Sequence, residues 1–485
     1  MPETTRSLSV AVIGAGMAGI LSAIRLSEAG FEDFVVYEKA DRLGGTWRDN
    51  TYPGLTCDVP SPLYSYSFAP NPEWSHRYSP GSEIQSYLER VAREHRVERF
   101  MRFGDEVVCC TFIEGRWEIE TRSGQVDRVD VVIAATGVLH QPRQPEIEGL
   151  ASFRGAVFHS ARWDHGTTLQ GARFGLIGNG STGVQIVSAV VDQVARLSLF
   201  QRTAQWIMPM ENPACTEAEQ AAVRQDPTVA TAQHRSLAEL FSVFSDSIVD
   251  ADSPRMKWVE QTCLDNLENN VRDPALRDRL RPTYRAGCKR LVISADFYAA
   301  IQRPNAELVS EAITRIEPEG IRTADGRLHP LDVLVLATGF KADAFMRPMQ
   351  ISGRAGRPLS DAWKQRPSAY LSVSIPDFPN LFMLNGPNGP VGNFSLIEVA
   401  ELQFGYILQL VERLRSGAGR EICASAEAMA SFEAARTEAA RKTIWMTGCR
   451  SWYLDDRGVP ASWPWPFSRF VEEMREPRWE AFELR

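Results

Sequence analysis

The hydrophobic pattern opens with a short, almost continuously apolar run, Leu8 to Ile13, that leads into Gly14, Gly16 and Gly19; from Ala18 to Gly30 apolar residues then recur at helical spacing. A second apolar run, Phe34 to Tyr37, ends on the acidic Glu38. Together these predict a strand–helix–strand unit with a glycine-rich turn after its first strand. The same pattern starts again 164 residues later, where Phe174 to Ile177 precedes Gly178, Gly180 and Gly183, a helical stretch runs through Val191, and Leu197 to Phe200 is again apolar.

Between the two units, Val107 to Glu120 reads as a hairpin turning at Glu114-Gly115, and Val129 to Ala134 as a strand ending in Ala135-Thr136-Gly137. A proline-rich connector, Gln141 to Pro145, follows, and a matching strand end, Val333 to Ala337 with Thr338-Gly339, appears much later; the paired ends read as linker positions. From Val184 to Ala286 there is no glycine, where average usage would place roughly seven. Its part from Thr216 to Arg281, rich in Ala, Glu, Arg, Gln and Leu with prolines at intervals, predicts a helical insertion. Beyond about Asp343, loops and the helical run Leu396 to Arg415 are placed to complete the first domain. The expected fold class is α/β, with two Rossmann-like dinucleotide-binding domains and a helical insertion. Its expected division is residues 1–140 (first domain), 141–206 (linker and start of the second domain), 207–286 (insertion), 287–340 (remainder of the second domain) and 341–485 (return to the first domain and C-terminal segment).

Composition narrows the function. A chain of 485 residues is long enough for about three domains with clefts between them. Lys+Arg 53 against Asp+Glu 61 gives a net charge of −8, which argues against nucleic acid as a partner. No apolar run approaches the ~20 residues needed to span a bilayer, and the N-terminus lacks a secretory pattern, so a cytoplasmic protein without membrane association is expected. The eight cysteines contain no CxxC pair; no metal site or dithiol redox centre is indicated, and reduced, mostly buried thiols are expected.

Both glycine motifs follow a strand and open a helix, where backbone can approach a pyrophosphate at the positive end of a helix dipole. Nineteen residues past the last glycine of the first motif stands Glu38, a carboxylate suited to a ribose diol; at the same distance in the second stands Arg202, followed by Thr203. A cation and a hydroxyl suit a 2′-phosphate. The first site is therefore expected to hold FAD or NAD, and the second NADPH in preference to NADH.

Three further segments narrow the class: Phe153, Gly155, His159, Trp163 and Asp164 read FxGxxxHxxxWD; Gly44, Gly45, Thr46, Trp47, Tyr52, Pro53, Gly54, Cys57 and Asp58 read GGTWxxxxYPGxxCD; and Gly287-Cys288-Lys289-Arg290 closes the glycine-free stretch. On these the sequence resembles the type I Baeyer-Villiger monooxygenases, a group of class B flavoprotein monooxygenases, from Gly14 to about Tyr453. The resemblance implies FAD on Gly14, Gly16, Gly19, Glu38, Gly45, Thr46, Trp47, Asp58 and Tyr64. It implies NADPH on Gly178, Gly180, Ser181, Thr182, Gly183, Arg202, Thr203, Lys289 and Trp452. It makes Arg290, paired with Asp58, the catalytic arginine over the flavin, and His159 a coupler of domains. The implied reaction takes a small-molecule ketone and O2 to an ester or lactone through an anionic flavin peroxide, which a fixed guanidinium stabilises without being able to protonate it. The alternatives are a flavin monooxygenase oxidising sulfur or nitrogen, which needs the protonated hydroperoxide, and a non-catalytic flavoprotein binding NADPH. Two departures, a short helical insertion and a different loop from Gly389 to Asn393, bear on the substrate pocket.

Overall fold

The computed structural model describes residues 6–392, 394–449, 451, 453–455 and 457–485. Two five-stranded, all-parallel sheets organise it. In the first the order is Leu381–Met383, Val131–Ala134, Val10–Ile13, Phe34–Tyr37 and Met101–Arg102. In the second it is Ala306–Val309, Arg196–Phe200, Arg173–Ile177, Val333–Leu336 and Ala156–His159. Each glycine motif thus leaves the middle strand of its sheet, flanked on one side by its own unit's second strand and on the other by the strand that ends in Ala-Thr-Gly. The middle strand of the first sheet, Val10–Ile13, reads as an unbroken apolar run and is buried throughout. The strand Leu381–Met383 and the helix Leu396–Arg415, which packs against Met17–Glu28, bring the far end of the chain back to the first sheet.

The two halves are joined at the Ala-Thr-Gly ends, where the connectors run antiparallel. Lys341 donates its backbone N–H to the Gln141 carbonyl (2.9 Å), Arg143 donates to Gly339 (2.9 Å), and Pro142 bridges Phe340. The alanines of these ends also lie beneath the motif turns: a Cβ on Gly14 would stand 2.5 Å from the Ala135 carbonyl oxygen, and Gly178 has the same constraint against Ala337.

The glycine-free stretch is helical over Glu217–Gln225, Pro227–Ile248, Pro254–Asn270 and Pro274–Leu280. Its spaced prolines fall in the first turn of three of these helices, where a missing N–H costs nothing. Thr216 and Glu219 form a capping box on the first. Among the described residues no helix is long and apolar enough to cross a membrane, and no group of three His, Cys, Asp or Glu is arranged to hold a metal ion.

Candidate active site

The first motif builds a cradle that side chains would fill. Gly14 has φ +106°, and a Cβ on Gly19 would overlap the Gly14 carbonyl, so the helix Met17–Glu28 can sit this close to the strand only with glycine there. No side chain caps this helix at Gly16, which leaves its first N–H groups for an anion. Gly44 and Gly45, both at positive φ, fold a second turn against the first, with a Cβ on Gly45 only 3.0 Å from the Cα of Gly16. Glu38 leaves the strand end buried, accepting from the backbone N–H groups of Ala15 (2.9 Å) and Ala40 (3.0 Å) and pairing with Arg48 at 3.1 Å. A cavity of 500 Å³ bounded by Ala40, Arg48, Asp49, Thr51, Arg162 and Trp163 lies beside it. Glycine turns, uncapped N–H groups and a fixed carboxylate are the donor and acceptor set that a dinucleotide's pyrophosphate and ribose require.

The second motif repeats the first. Gly178 has φ +110°, Gly183 abuts the Gly178 carbonyl as Gly19 does Gly14, and Gly180 precedes the helix Ser181–Val190 without a side-chain cap. The strand end differs in a way that the spacing concealed. Gly14 donates its N–H to Tyr37 and Gly178 donates to Phe200, so the residue matching Glu38 is Gln201, and Arg202 stands one residue further along. Gln201 is buried and bonded to Asn179 and to the Arg279 carbonyl, so no carboxylate is present for a ribose diol. Asn179 also donates to the Thr203 carbonyl, and Arg202 projects into solvent with no ion pair among the described residues. Lys289 lies over the Tyr284 ring at 4.5 Å. Its ammonium is held below its ordinary pKa by burial and then by Arg202, which places the two cations within electrostatic reach of each other. Two cations so placed suit an anionic ligand.

The Tyr52–Asp58 segment carries the first site to the second. The Tyr52 hydroxyl donates to the Gln185 side chain (2.9 Å), Thr182 donates to that hydroxyl (3.3 Å), and Gln185 donates to the Thr56 carbonyl (3.0 Å). Gly54 lies so close to the helix Ser181–Val190 that a Cβ would meet the Gln185 carbonyl at 2.7 Å. The tyrosine and glycine are thus a docking surface for the second dinucleotide helix, a role that their motif alone did not reveal. Four residues past Gly54, Asp58 meets Arg290 side-on: Nε to Oδ2 at 2.9 Å and Nη2 to Oδ1 at 2.7 Å. Nη1 donates to the Gly392 carbonyl at 3.3 Å, and Tyr453, whose hydroxyl lies against Gly392, is within electrostatic reach of the guanidinium. The Asp58 carboxylate holds Arg290 above its ordinary pKa, and the arginine keeps 37% of its side chain open. Tyr64 lies within electrostatic reach of this pair and accepts from the Trp47 indole N–H at 3.2 Å, and burial pushes its phenol far up. Trp452 lies outside the described residues.

His159 sits at the end of the edge strand Ala156–His159. Its Nδ1 accepts from Ala161 N–H (3.1 Å), which leaves the proton on Nε2 to donate to the Gly339 carbonyl (3.0 Å) in the connector. Past it, Arg162 pairs with Asp49 (3.7 Å) and His165 with Thr51 (2.8 Å). The segment therefore clips one half of the molecule to the other, and His159 contacts nothing at Arg290. Burial lowers the His159 pKa from 6.5, so the unfolded chain binds the extra proton and its contribution to stability is lost as pH falls through 6.5 towards the folded value. Wild type is expected to lose up to about 1.4 kcal/mol per pH unit more than His159→Ala between pH 7 and 5, read as urea midpoints at each pH. Parallel curves would remove the neutral-imidazole role.

One expectation is corrected: the cysteines are not all free thiols. Cys288 and Cys449, 161 residues apart in sequence, form a disulfide with Cα atoms 6.2 Å apart; Cys57, Cys109, Cys110, Cys215, Cys263 and Cys423 remain free. No CxxC spacing announces the pair because folding of the C-terminal segment onto the end of the insertion creates it.

Two glycine cradles of one build, one ending in a carboxylate and the other in cations, joined at a shared aspartate–arginine pair, define an oxidoreductase with two dinucleotide sites. The Flavin-binding monooxygenase-like family model matches residues 7–214. An uncharacterized monooxygenase of Mycobacterium tuberculosis is 46% identical over 482 residues, 99% of this chain and 97% of that one. A Baeyer-Villiger monooxygenase of Streptomyces coelicolor is 39% identical over 471 residues, 96% and 90% of the two chains. The solved structure of OTEMO in complex with FAD and NADP superposes with a TM-score of 0.89 at 25% identity, over 99% of this chain and 100% of that one. The chain belongs to the Baeyer-Villiger monooxygenase family of flavin-binding enzymes.

Proposed function

We propose that this enzyme is an FAD-containing, NADPH- and O2-dependent monooxygenase that converts small-molecule ketones to esters or lactones. The observation that carries the reading is the Asp58–Arg290 pair, positioned where the Tyr52–Asp58 segment of the first dinucleotide unit docks on the helix of the second. Gly14, Gly16, Gly19, Glu38, Gly45, Thr46, Trp47 and Tyr64 would hold FAD. Gly178, Gly180, Ser181, Thr182, Gly183, Arg202, Thr203 and Lys289 would hold NADPH, with Thr182 also bonded to Tyr52.

When bound, the flavin, reduced by NADPH, supplies the oxygen-activating chemistry. The chain supplies electrostatics. Arg290 carries a positive charge at any working pH and cannot protonate an anion, so it favours a nucleophilic, negatively charged oxygen over a protonated, electrophilic one. Asp58 engages the Nε and Nη2 edge and fixes the plane of the guanidinium. Charge and geometry therefore suit attack on a ketone carbonyl, and the sulfur- or nitrogen-oxidising alternative is disfavoured.

The test supplies the purified enzyme with NADPH and oxygen-18 gas and screens ketones against thioethers. Label in an ester is the expected result. Label in sulfoxide alone would assign the enzyme to heteroatom oxidation, and hydrogen peroxide with no labelled product would make it a non-transferring flavoprotein.

A further inference from the structure

The Cys288–Cys449 disulfide joins two segments that meet at Arg290. Cys288 directly precedes Lys289 and Arg290, and both half-cystines are buried. Cys449 lies four residues before Tyr453, so with that end fixed the chain can carry the tyrosine no more than about 14 Å away. Tyr453 is 3% exposed; its ring packs on Trp445 at a centroid distance of 5.3 Å, and its hydroxyl occupies the space that a side chain at Gly392 would need. That hydroxyl lies within electrostatic reach of the guanidinium, whose cation draws the phenol pKa back from the larger rise that burial imposes. Arg290 is thus faced by three separate parts of the chain: Asp58 bonded on one edge, the Gly392 carbonyl on Nη1, and the Tyr453 hydroxyl packed beside Gly392.

We propose that the Cys288–Cys449 disulfide is a positioning device for the reaction, pinning the Tyr453 segment to the Arg290 segment so that the Tyr453 hydroxyl fixes the guanidinium. The inference rests on the reading of Arg290 given above. The side-on carboxylate fixes the plane of the guanidinium, and the Tyr453 hydroxyl packed beside the Gly392 carbonyl limits the motion that a side chain with a large rotamer entropy keeps within that plane. Without the crosslink the place of Tyr453 depends on side-chain packing alone, such as that on Trp445, because the link is the covalent tie between segments 161 residues apart.

The experiment uses the full-length, FAD-loaded enzyme. Titration of thiols in denaturant without reductant is expected to find six per chain, rising to eight after reduction, and a proteolytic digest should yield the Cys288–Cys449 linked peptide. Tyr453→Phe is expected to retain FAD yet make about five- to tenfold less ester per NADPH consumed, the balance appearing as hydrogen peroxide. Cys449→Ser and Cys288→Ser should shift coupling in the same direction, and adding Tyr453→Phe to either should change it little further. Eight thiols without reductant, or wild-type coupling in Tyr453→Phe, would overturn the proposal, and the tyrosine variant decides even if a cysteine variant does not fold. Arg290→Lys separates the two levels: retained coupling in that variant would bring down the reading of Arg290 itself, whereas its loss beside a fully coupled Tyr453→Phe would remove only the positioning device.

Discussion

Arg290→Ala is expected to give a protein that still binds FAD and still consumes NADPH but forms ester at least about a hundredfold more slowly, with hydrogen peroxide released in its place. A unit charge pair at about 4 Å and an effective dielectric near 20 is worth roughly 4 kcal/mol, close to a thousandfold in rate. The arginine keeps 37% of its side chain open, so solvent screening trims that figure and a hundredfold is the floor. Arg290 touches none of the residues of the first glycine cradle, and its removal deletes no FAD contact built from Gly14, Glu38 or Gly45. The loss should fall on kcat for the ester and leave the ketone KM little changed, because the charge matters most where negative charge is concentrated on oxygen. Arg290→Lys should recover only part of the loss, since an ammonium cannot engage Asp58 side-on. Ester formed at the wild-type rate by Arg290→Ala, measured by product chromatography, would contradict the assigned role.

Much of this arrangement was legible in the sequence because it rests on short-range rules. The strand–glycine–helix units, the hairpin turn at Glu114-Gly115 and the helix Leu396–Arg415 follow from apolar periodicity and from conformations that only certain residues adopt. The glycine-free insertion was readable by composition, and its prolines mark helix starts. What was hidden depends on the third dimension. Equal counts of nineteen residues suggested that Arg202 and Glu38 occupy matching places, whereas the hydrogen-bond register puts Gln201 in the place of Glu38, because in the second unit the helix is two residues shorter (10 against 12) and the strand one residue longer (5 against 4). Tyr52 and Gly54 read as motif letters until their contact with Gln185 appeared. Tyr453 and the Cys288–Cys449 pair carried no local signal, since their partners lie more than 150 residues away along the chain.

The one-residue displacement of Arg202 sharpens the second large expectation, which concerns the choice of coenzyme. With Gln201 turned inward and bonded to Asn179, no carboxylate repels a phosphate at this strand end, and Arg202 stands beyond it in solvent facing the charge of Lys289. Each charge-assisted hydrogen bond is worth roughly 1.5–3 kcal/mol, and exposure of Arg202 argues for the lower end, so each single alanine variant should lose about tenfold in kcat/KM for NADPH. Arg202→Ala with Lys289→Ala should lose about a hundredfold while kcat/KM for NADH stays near wild type, since NADH carries no 2′-phosphate. The change should lie in KM, because the phosphate is remote from hydride transfer and is bound equally in ground and transition states. Surface charges are screened by salt, so raising ionic strength from 0.05 to 0.5 M should shrink the wild-type preference and barely affect the double variant. Steady-state kinetics with both coenzymes at the two salt levels measure all of this; an unaltered NADPH to NADH ratio in the double variant would move the 2′-phosphate site away from these two side chains.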